Sequence, residues 1–362
     1  MMKRTFIKFF ILTLMLLGFP LLGIVLSNRP LLPYLEFPPQ RHIVHAPFSW
    51  SIFTGYCILI LLVILPFLIR GLCRRHASKR GPGNSFPWWG WVGILWTLLA
   101  WLVAWSRFSW TGPMQPHTFT PLWLGYIITI NALTYRRKGT CMLIKRPGFV
   151  LMLFPASAAF WWFFEYLNRF VGNWYYVGVD FGPWEYFWYA TLPFSTVLPA
   201  VMGTREWLLG FSWPLERFGE FLPLRIPNAK VFSWAVLIAA ASGLTAIGIL
   251  PNALFPLLWI SPVLILISLQ TIMGETHILS PITVGDWHVV LCSALAALIC
   301  GCFWEMWNFY SLAKWKYSIP FVYALPIFEM PLLGYAGYLP FGLECAVVAD
   351  MMVKKTEPSK WT

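Results

Sequence analysis

The chain has 362 residues, of which 59% are hydrophobic and only 11% charged. Soluble domains carry about 25% charged residues, so this composition excludes an ordinary soluble globular protein. The net charge of +12 would suit a nucleic-acid binder, but the basic residues gather at the ends of apolar runs, where they set orientation; no nucleic-acid partner is expected.

Runs near the length that crosses a bilayer fall at about ten segments: 6–27, 48–69, 87–106, 119–135, 149–167, 184–203, 231–250, 252–273, 288–309 and 331–353. The expected class is all-α, a polytopic membrane helix bundle. With the N-terminus inside, twenty Lys and Arg lie on the cytoplasmic side, among them Lys3, Arg4, Lys8, Arg70, Arg74, Arg75, Lys79, Arg80, Arg136, Arg137, Lys138, Lys145 and Arg146. Six lie outside: Arg29, Arg41, Arg107, Arg169, Lys314 and Lys316. That bias predicts a multi-pass protein of the cell (inner) membrane with both termini cytoplasmic.

In chain order, residues 1–80 read as a transmembrane hairpin with an outer loop. Its first apolar run is longer than a signal-peptide core and no A-x-A site follows, so a retained helix is expected. The loop is rich in proline and holds His42 and His45; His117 falls in the next outer loop. These are read as loop histidines, and no metal is expected. Residues 81–203 read as a first membrane repeat. Residues 204–230 read as a cytoplasmic interfacial linker, in which aromatic residues alternate with both charge signs and Pro214 and Pro223 break the helix. Residues 231–362 read as a second repeat, parallel to the first. None of the seven cysteines falls in an expected outer loop, so no disulfide framework is expected. Cys300 and Cys302 read as packing residues around Gly301.

The repeat rests on two short stretches. Phe164-Glu165-Tyr166-Leu167-Asn168 is followed by Trp174 and Tyr176; Trp304-Glu305-Met306-Trp307-Asn308 is followed by Trp315 and Tyr317. Glu and Asn recur 140 residues apart, Trp and Tyr 141 apart. Glu185 is answered by Glu329, and Leu192-Pro193-Phe194 by Leu339-Pro340-Phe341. Parallel repeats would hold the two glutamates at one depth. A carboxylate in hydrocarbon is costly and marks a candidate site.

On a helix each Glu shares a face with its Asn at i+3. Arg169, four residues after Glu165, predicts an ion pair there; Phe309 stands at the matching place after Glu305. Glu165 is therefore expected to be ionised and Glu305 to be the protonated acid. Candidate catalytic residues are Glu305, Glu165, Asn308, Asn168, Glu329 and Glu185. Candidate substrate-binding residues are Trp304, Trp307, Trp174, Trp315, Tyr317 and Tyr176. Glu344 sits near the middle of the last span and Asp350 near its inner end. Two bland roles compete: the aromatic residues can form an interfacial belt, and Glu with Asn can hold repeats together.

An acid among indoles suits protonation of a polyene or epoxide, with ring faces stabilising the cation. Trp304-Glu305 with Tyr310 resembles the integral-membrane terpene cyclases. Pro326-Ile327-Phe328-Glu329 is similar to the membrane lycopene cyclase domains, which also occur as tandem repeats of membrane helices. Where that family has two adjacent carboxylates after the proline, this chain has Glu329 followed by Met330. The resemblance implies an acid-catalysed cyclase or isomerase acting on a membrane lipid or isoprenoid-like apolar ligand. A proton-coupled transporter or flippase, and a non-catalytic lipid-binding subunit, remain open. No P-loop, nucleophile elbow or H-E-x-x-H occurs, and His288 is the only histidine in an expected span, so no cofactor is expected.

Overall fold

A computed structural model describes residues 2–39, 43–73 and 83–353, the side chains of 2–9 and 73 excepted. His42 and the orientation-setting residues Arg41, Arg74, Arg75, Lys79 and Arg80 lie outside the described residues. In hydrocarbon every backbone N–H and C=O must be satisfied within the chain, and a helix does this locally. The apolar runs accordingly fold as helices: α1 (Met2–Leu26), α2 (Trp50–Cys73), α3 (Trp88–Trp105), α4 (Phe119–Lys138), α5 (Pro147–Val171), α6 (Pro183–Phe194), α7 (Val197–Leu209), α8 (Ala229–Ala246), α9 (Leu257–Ile272), α10 (His288–Phe309) and α11 (Tyr338–Met352). Shorter helical turns connect them.

By length and composition six segments among the described residues can cross a membrane: Trp50–Leu72, Trp88–Trp105, Pro147–Val171, Ala229–Ala246, His288–Phe309 and Leu332–Met352. Phe10–Leu26 and Leu257–Ile272 are shorter apolar helices. Three of the expected spans are not single helices; one, 252–273, opens as a short helix, Pro251–Leu254, before α9. The segment 184–203 breaks between α6 and α7, just after Pro193. There the hydroxyls of Ser195 and Thr196 donate to the Leu192 and Pro193 carbonyls, each at 2.6 Å, and satisfy acceptors that the break sets free. The segment 331–353 begins as a 3-10 turn, Leu332–Gly337, before α11. Nor does α7 stop at 203. It continues to Leu209, and Arg205, 1% exposed, pairs with Asp350 on α11 at 3.2 Å. The stretch 204–230, read as an interfacial linker, therefore starts as the continuation of α7, with Thr204, Arg205 and Leu208 buried.

The centre of the molecule is α10 packed on α11 and α7, with α4, α5 and α9 around it. Close approach is set by small residues: a Cβ at Gly342 would lie 2.2 Å from the Ser293 carbonyl oxygen, so only glycine lets α11 meet α10 there. At the edge, α2 has 6% of its apolar window buried, against 44% for α10. Its Leu61, Leu62 and Leu65 face outward.

Two small ribbons interrupt the helical plan. Strand β1 (Trp174–Val177), after α5, pairs antiparallel with β2 (Lys314–Tyr317), after α10. Trp174 lies opposite Tyr317 and Tyr176 opposite Trp315. Strands β3 (Pro326–Ile327) and β4 (Met330–Pro331) form a second antiparallel pair.

Candidate functional site

The Glu-x-x-Asn motif works through the strand that follows it. Asn168 Oδ1 accepts the Asn173 N–H at 2.7 Å, and its Nδ2 donates to the Trp174 carbonyl at 2.8 Å. Asn308 Oδ1 accepts the Trp315 N–H at 2.9 Å, and its Nδ2 donates to the Trp315 carbonyl at 2.8 Å. Each amide thus fixes the start of a strand against the end of its helix. The strand then delivers its Trp and Tyr to the glutamate one helical turn deeper.

At Glu165 three donors converge on Oε1: Trp161 Nε1 at 3.2 Å, Trp174 Nε1 at 2.9 Å and Tyr176 OH at 2.5 Å. Its other oxygen, Oε2, takes no hydrogen bond among the described residues. The expected ion pair with Arg169 is not formed. The guanidinium turns away and gives its Nη1 to the carbonyls of Tyr34 and Glu36. Those carbonyls belong to a loop that closes over the end of α5, and a short helical turn at Leu32–Leu35 presents them.

Glu305, fully buried, is expected to lack a cationic partner; its hydrogen bonds come from two neutral hydroxyls. Tyr317 OH and Tyr338 OH each donate to Oε1 at 2.7 Å. Trp315 Nε1 reaches this carboxylate only through Tyr317, whose oxygen it meets at 2.7 Å. Oε2 is buried and unpartnered.

A cavity of about 870 Å³ opens beside the ribbon. The indoles of Trp161, Trp174, Trp259 and Trp304 line it, together with Glu165, Asn168, Arg169, Tyr176, Trp315, Tyr317 and Tyr338. These rings pack on one another: Trp174 lies 5.6 Å from Trp259, and Trp161 6.4 Å from Trp304. Along another wall run Tyr56, Leu59, Ile60, Val63 and Ile64 of the peripheral helix α2.

The structure therefore divides the candidate residues. Glu165, Asn168, Trp174, Tyr176, Trp304, Trp315 and Tyr317 meet at the cavity. Glu305 and Asn308 are not on its wall; the tyrosines that bond Glu305 are. Trp307 is also off the wall and packs between Trp101, Trp123 and Phe303. Glu185 is exposed and caps the first turn of α6, accepting the Gly182 N–H at 3.2 Å. Glu329 pairs with Lys314 at 2.6 Å. The two glutamates that answer each other in sequence thus do different local work.

Sequence reasoning passed over Trp161, Trp259 and Tyr338. Trp161 was legible, since it stands one turn before Glu165 on the same face. Tyr338 was not, because only the packing of α11 on α10 brings it to Glu305. Of the histidines expected in outer loops, His45 joins the Asn252 side chain at 3.0 Å and the Gly172 carbonyl at 3.1 Å, while His117 stacks on Tyr189 with centroids 4.1 Å apart. Comparison with protein-family models, with curated proteins and with solved structures finds no match to this chain.

Proposed function

We propose that the cavity holds an apolar, isoprenoid- or lipid-like molecule and that Glu165 is its acid and base, in a cyclisation or isomerisation. One observation carries this reading: the carboxyl on the cavity wall has Oε1 occupied by three donors and Oε2 free. A proton delivered from Oε2 to a carbon–carbon double bond gives a carbocation and leaves Glu165 as carboxylate. The faces of Trp161, Trp174, Trp259 and Trp304 stabilise the cation by cation–π attraction in a site with little water. The carboxylate then removes a proton from a neighbouring carbon, which restores the acid and shifts or closes the double-bond system. The acid assigned from sequence was Glu305; its place behind Tyr317 and Tyr338 moves the assignment to Glu165.

The test is mass spectrometry of apolar molecules extracted from the purified protein, beside Glu165→Gln. An isoprenoid or lipid species enriched over bulk membrane is expected in both. The variant is expected to hold the unconverted isomer, because Gln keeps the shape and cannot deliver the proton. An extract indistinguishable from bulk membrane would remove the ligand, and an unchanged isomer the chemistry.

A proton-coupled carrier is the second reading. Favouring it, Glu344, 1% exposed on α11, has an Oε2 that is buried and unpartnered, away from the cavity wall. Proton-coupled uptake of a lipid analogue into vesicles, lost in Glu344→Gln, would replace the enzyme reading. A non-catalytic lipid-binding subunit would show the ligand with neither conversion nor transport.

The about ten spans, the parallel repeat and the cytoplasmic termini belong to the same proposal. What supports the repeat is the ribbon register. Tyr175 pairs with Lys316, the residue 141 positions on, which is its own counterpart in the repeat. A two-fold axis through that pair relates the halves, and an axis along the membrane normal keeps both glutamates at one depth. A reporter active only in the cytoplasm is expected to give signal after Lys355 and none within 168–183 or 311–326. Signal from either loop would overturn this orientation.

A further inference from the structure

Glu165 and Arg169 stand one turn apart on α5, and both line the cavity. They carry opposite charges, yet no ion pair joins them among the described residues. Glu165 keeps Oε2 open. Arg169 uses only Nη1, for the Tyr34 and Glu36 carbonyls, and keeps Nη2 and Nε. The cavity wall therefore offers an open acceptor and open donors one helical turn apart; its other polar side chains include Asn168, Asn173, Asp180 and Lys314, among many aromatic and aliphatic residues. Among the described residues the only other cation on that wall, Lys314, is bound to Glu329 at 2.6 Å.

From this geometry we infer that the ligand carries one hydroxyl, seated between Glu165 Oε2 and the Arg169 guanidinium: the site takes a long-chain or isoprenoid alcohol. The inference rests on the apolar cavity of the reading above and takes Glu165 as a carboxylate; a hydroxyl held on Oε2 occupies the oxygen that the acid step would use, so the inference narrows the ligand and not the proton transfer. A hydroxyl is the smallest group that donates to a carboxylate and accepts from a guanidinium at once. Charge separates it from the alternatives. Glu165 one turn away offsets the charge of Arg169, so a phosphate or carboxylate head gains little net attraction and meets a like charge. A pure hydrocarbon would leave both polar groups unsatisfied when it displaces water from them, which is a cost. The chain of the alcohol has its own wall in Tyr56, Leu59, Ile60, Val63 and Ile64 of α2, the helix most open to lipid.

The experiment is binding of three probes to the full chain in detergent, read by native mass spectrometry: a C20 isoprenoid alcohol, the matching hydrocarbon and the matching phosphate monoester. The alcohol is expected to bind about ten-fold more tightly than the hydrocarbon, the yield of one or two hydrogen bonds to charged groups. Arg169→Gln and Glu165→Gln are each expected to weaken alcohol binding and to bring that ratio close to one. Cooperative thermal unfolding of each variant in detergent serves as the control for folding. Equal affinity of alcohol and hydrocarbon in the unmodified chain overturns this inference and leaves the apolar cavity standing. Preference for the phosphate overturns it in favour of an anion site. Failure of both alcohol and hydrocarbon to bind removes the cavity reading itself.

Discussion

Glu165 and Glu305 occupy matching places on two Glu-x-x-Asn helices, yet part of their hydrogen bonding arrives from opposite directions. One turn before Glu165 stands Trp161, which donates its indole N–H along its own helix at 3.2 Å. One turn before Glu305 stands Gly301, and the donor comes instead from Tyr338, across on α11, at 2.7 Å. Gly301 is what admits it: a Cβ there would lie 2.4 Å from the Tyr338 ring. In the matching register Tyr338 answers to Thr191, whose hydroxyl accepts a hydrogen bond from Trp162. A large residue on the helix and a small one on the return segment in one half become a glycine and a tyrosine in the other. The exchange leaves Glu165 beside the cavity and seals Glu305 away from it. Two similar motifs thus yield one carboxyl that can meet a ligand and one that ties helices together.

The largest break in this comparison is expected from stripping Glu305 of both donors. Tyr317→Phe with Tyr338→Phe leaves a buried carboxyl unpaired and the Trp315 N–H without its acceptor. Loss of about 3–5 kcal/mol is expected, by analogy with breaking a buried pair. Thermal unfolding in detergent measures it, and adding Glu305→Leu is expected to recover part of the loss. No recovery would mean that the tyrosines matter through packing alone.

Arg169→Ala comes next. From sequence its cost would lie in an orphaned Glu165, and Glu165→Gln would relieve it. The structure places the cost elsewhere, in the two carbonyls of the loop at Tyr34 and Glu36. About 1–3 kcal/mol is expected, and Glu165→Gln in the same chain is expected not to restore it. Rescue in the double mutant would reinstate the ion pair.

The difference between the halves explains what the sequence could and could not convey. Segments 48–69, 87–106, 149–167, 231–250 and 288–309 were legible because length and hydropathy govern whether a stretch can lie in hydrocarbon. The recurring Glu, Asn, Trp and Tyr were legible as a set, and the structure supplies the reason they recur: the amide docks the strand and the strand brings the rings. Their division between wall and core was not legible. It depends on Gly301 and Tyr338, positions where the two motifs' surroundings differ, whereas the repeat is inferred from what they share. The ribbon was hidden as well, since four-residue strands carry little periodicity. Arg169 misled because spacing of four residues permits an ion pair without compelling one, and loop carbonyls compete for the guanidinium.

Gly301→Ala sharpens the contrast at one position. The added methyl must displace a Tyr338 ring held in the core, so overpacking of about 1–3 kcal/mol is expected. The Tyr338 hydroxyl then moves off Glu305. Combined with Tyr338→Phe, the substitution is expected to cost less than the sum of the two alone, because both act on one contact. Additive losses would mean that Gly301 is required for some other approach.

Trp161→Phe is expected to give the smallest effect on stability. The indole N–H is the longest of the three donors on Glu165 Oε1, and Trp174 and Tyr176 remain, so only about 0.5–1 kcal/mol should be lost. The ring is replaced by a smaller ring in contact with Phe164, Phe194 and Phe341, which keeps much of the packing. Its consequence for the ligand is expected to be larger than for the fold. Trp161 is a wall of the cavity, and phenylalanine offers a weaker cation–π face there. A variant that unfolds as the unmodified chain does, yet converts or retains its apolar ligand less well, separates the open carboxyl from its sealed counterpart. A Trp161→Phe chain with full conversion would place the working face of the cavity on Trp174, Trp259 and Trp304 alone.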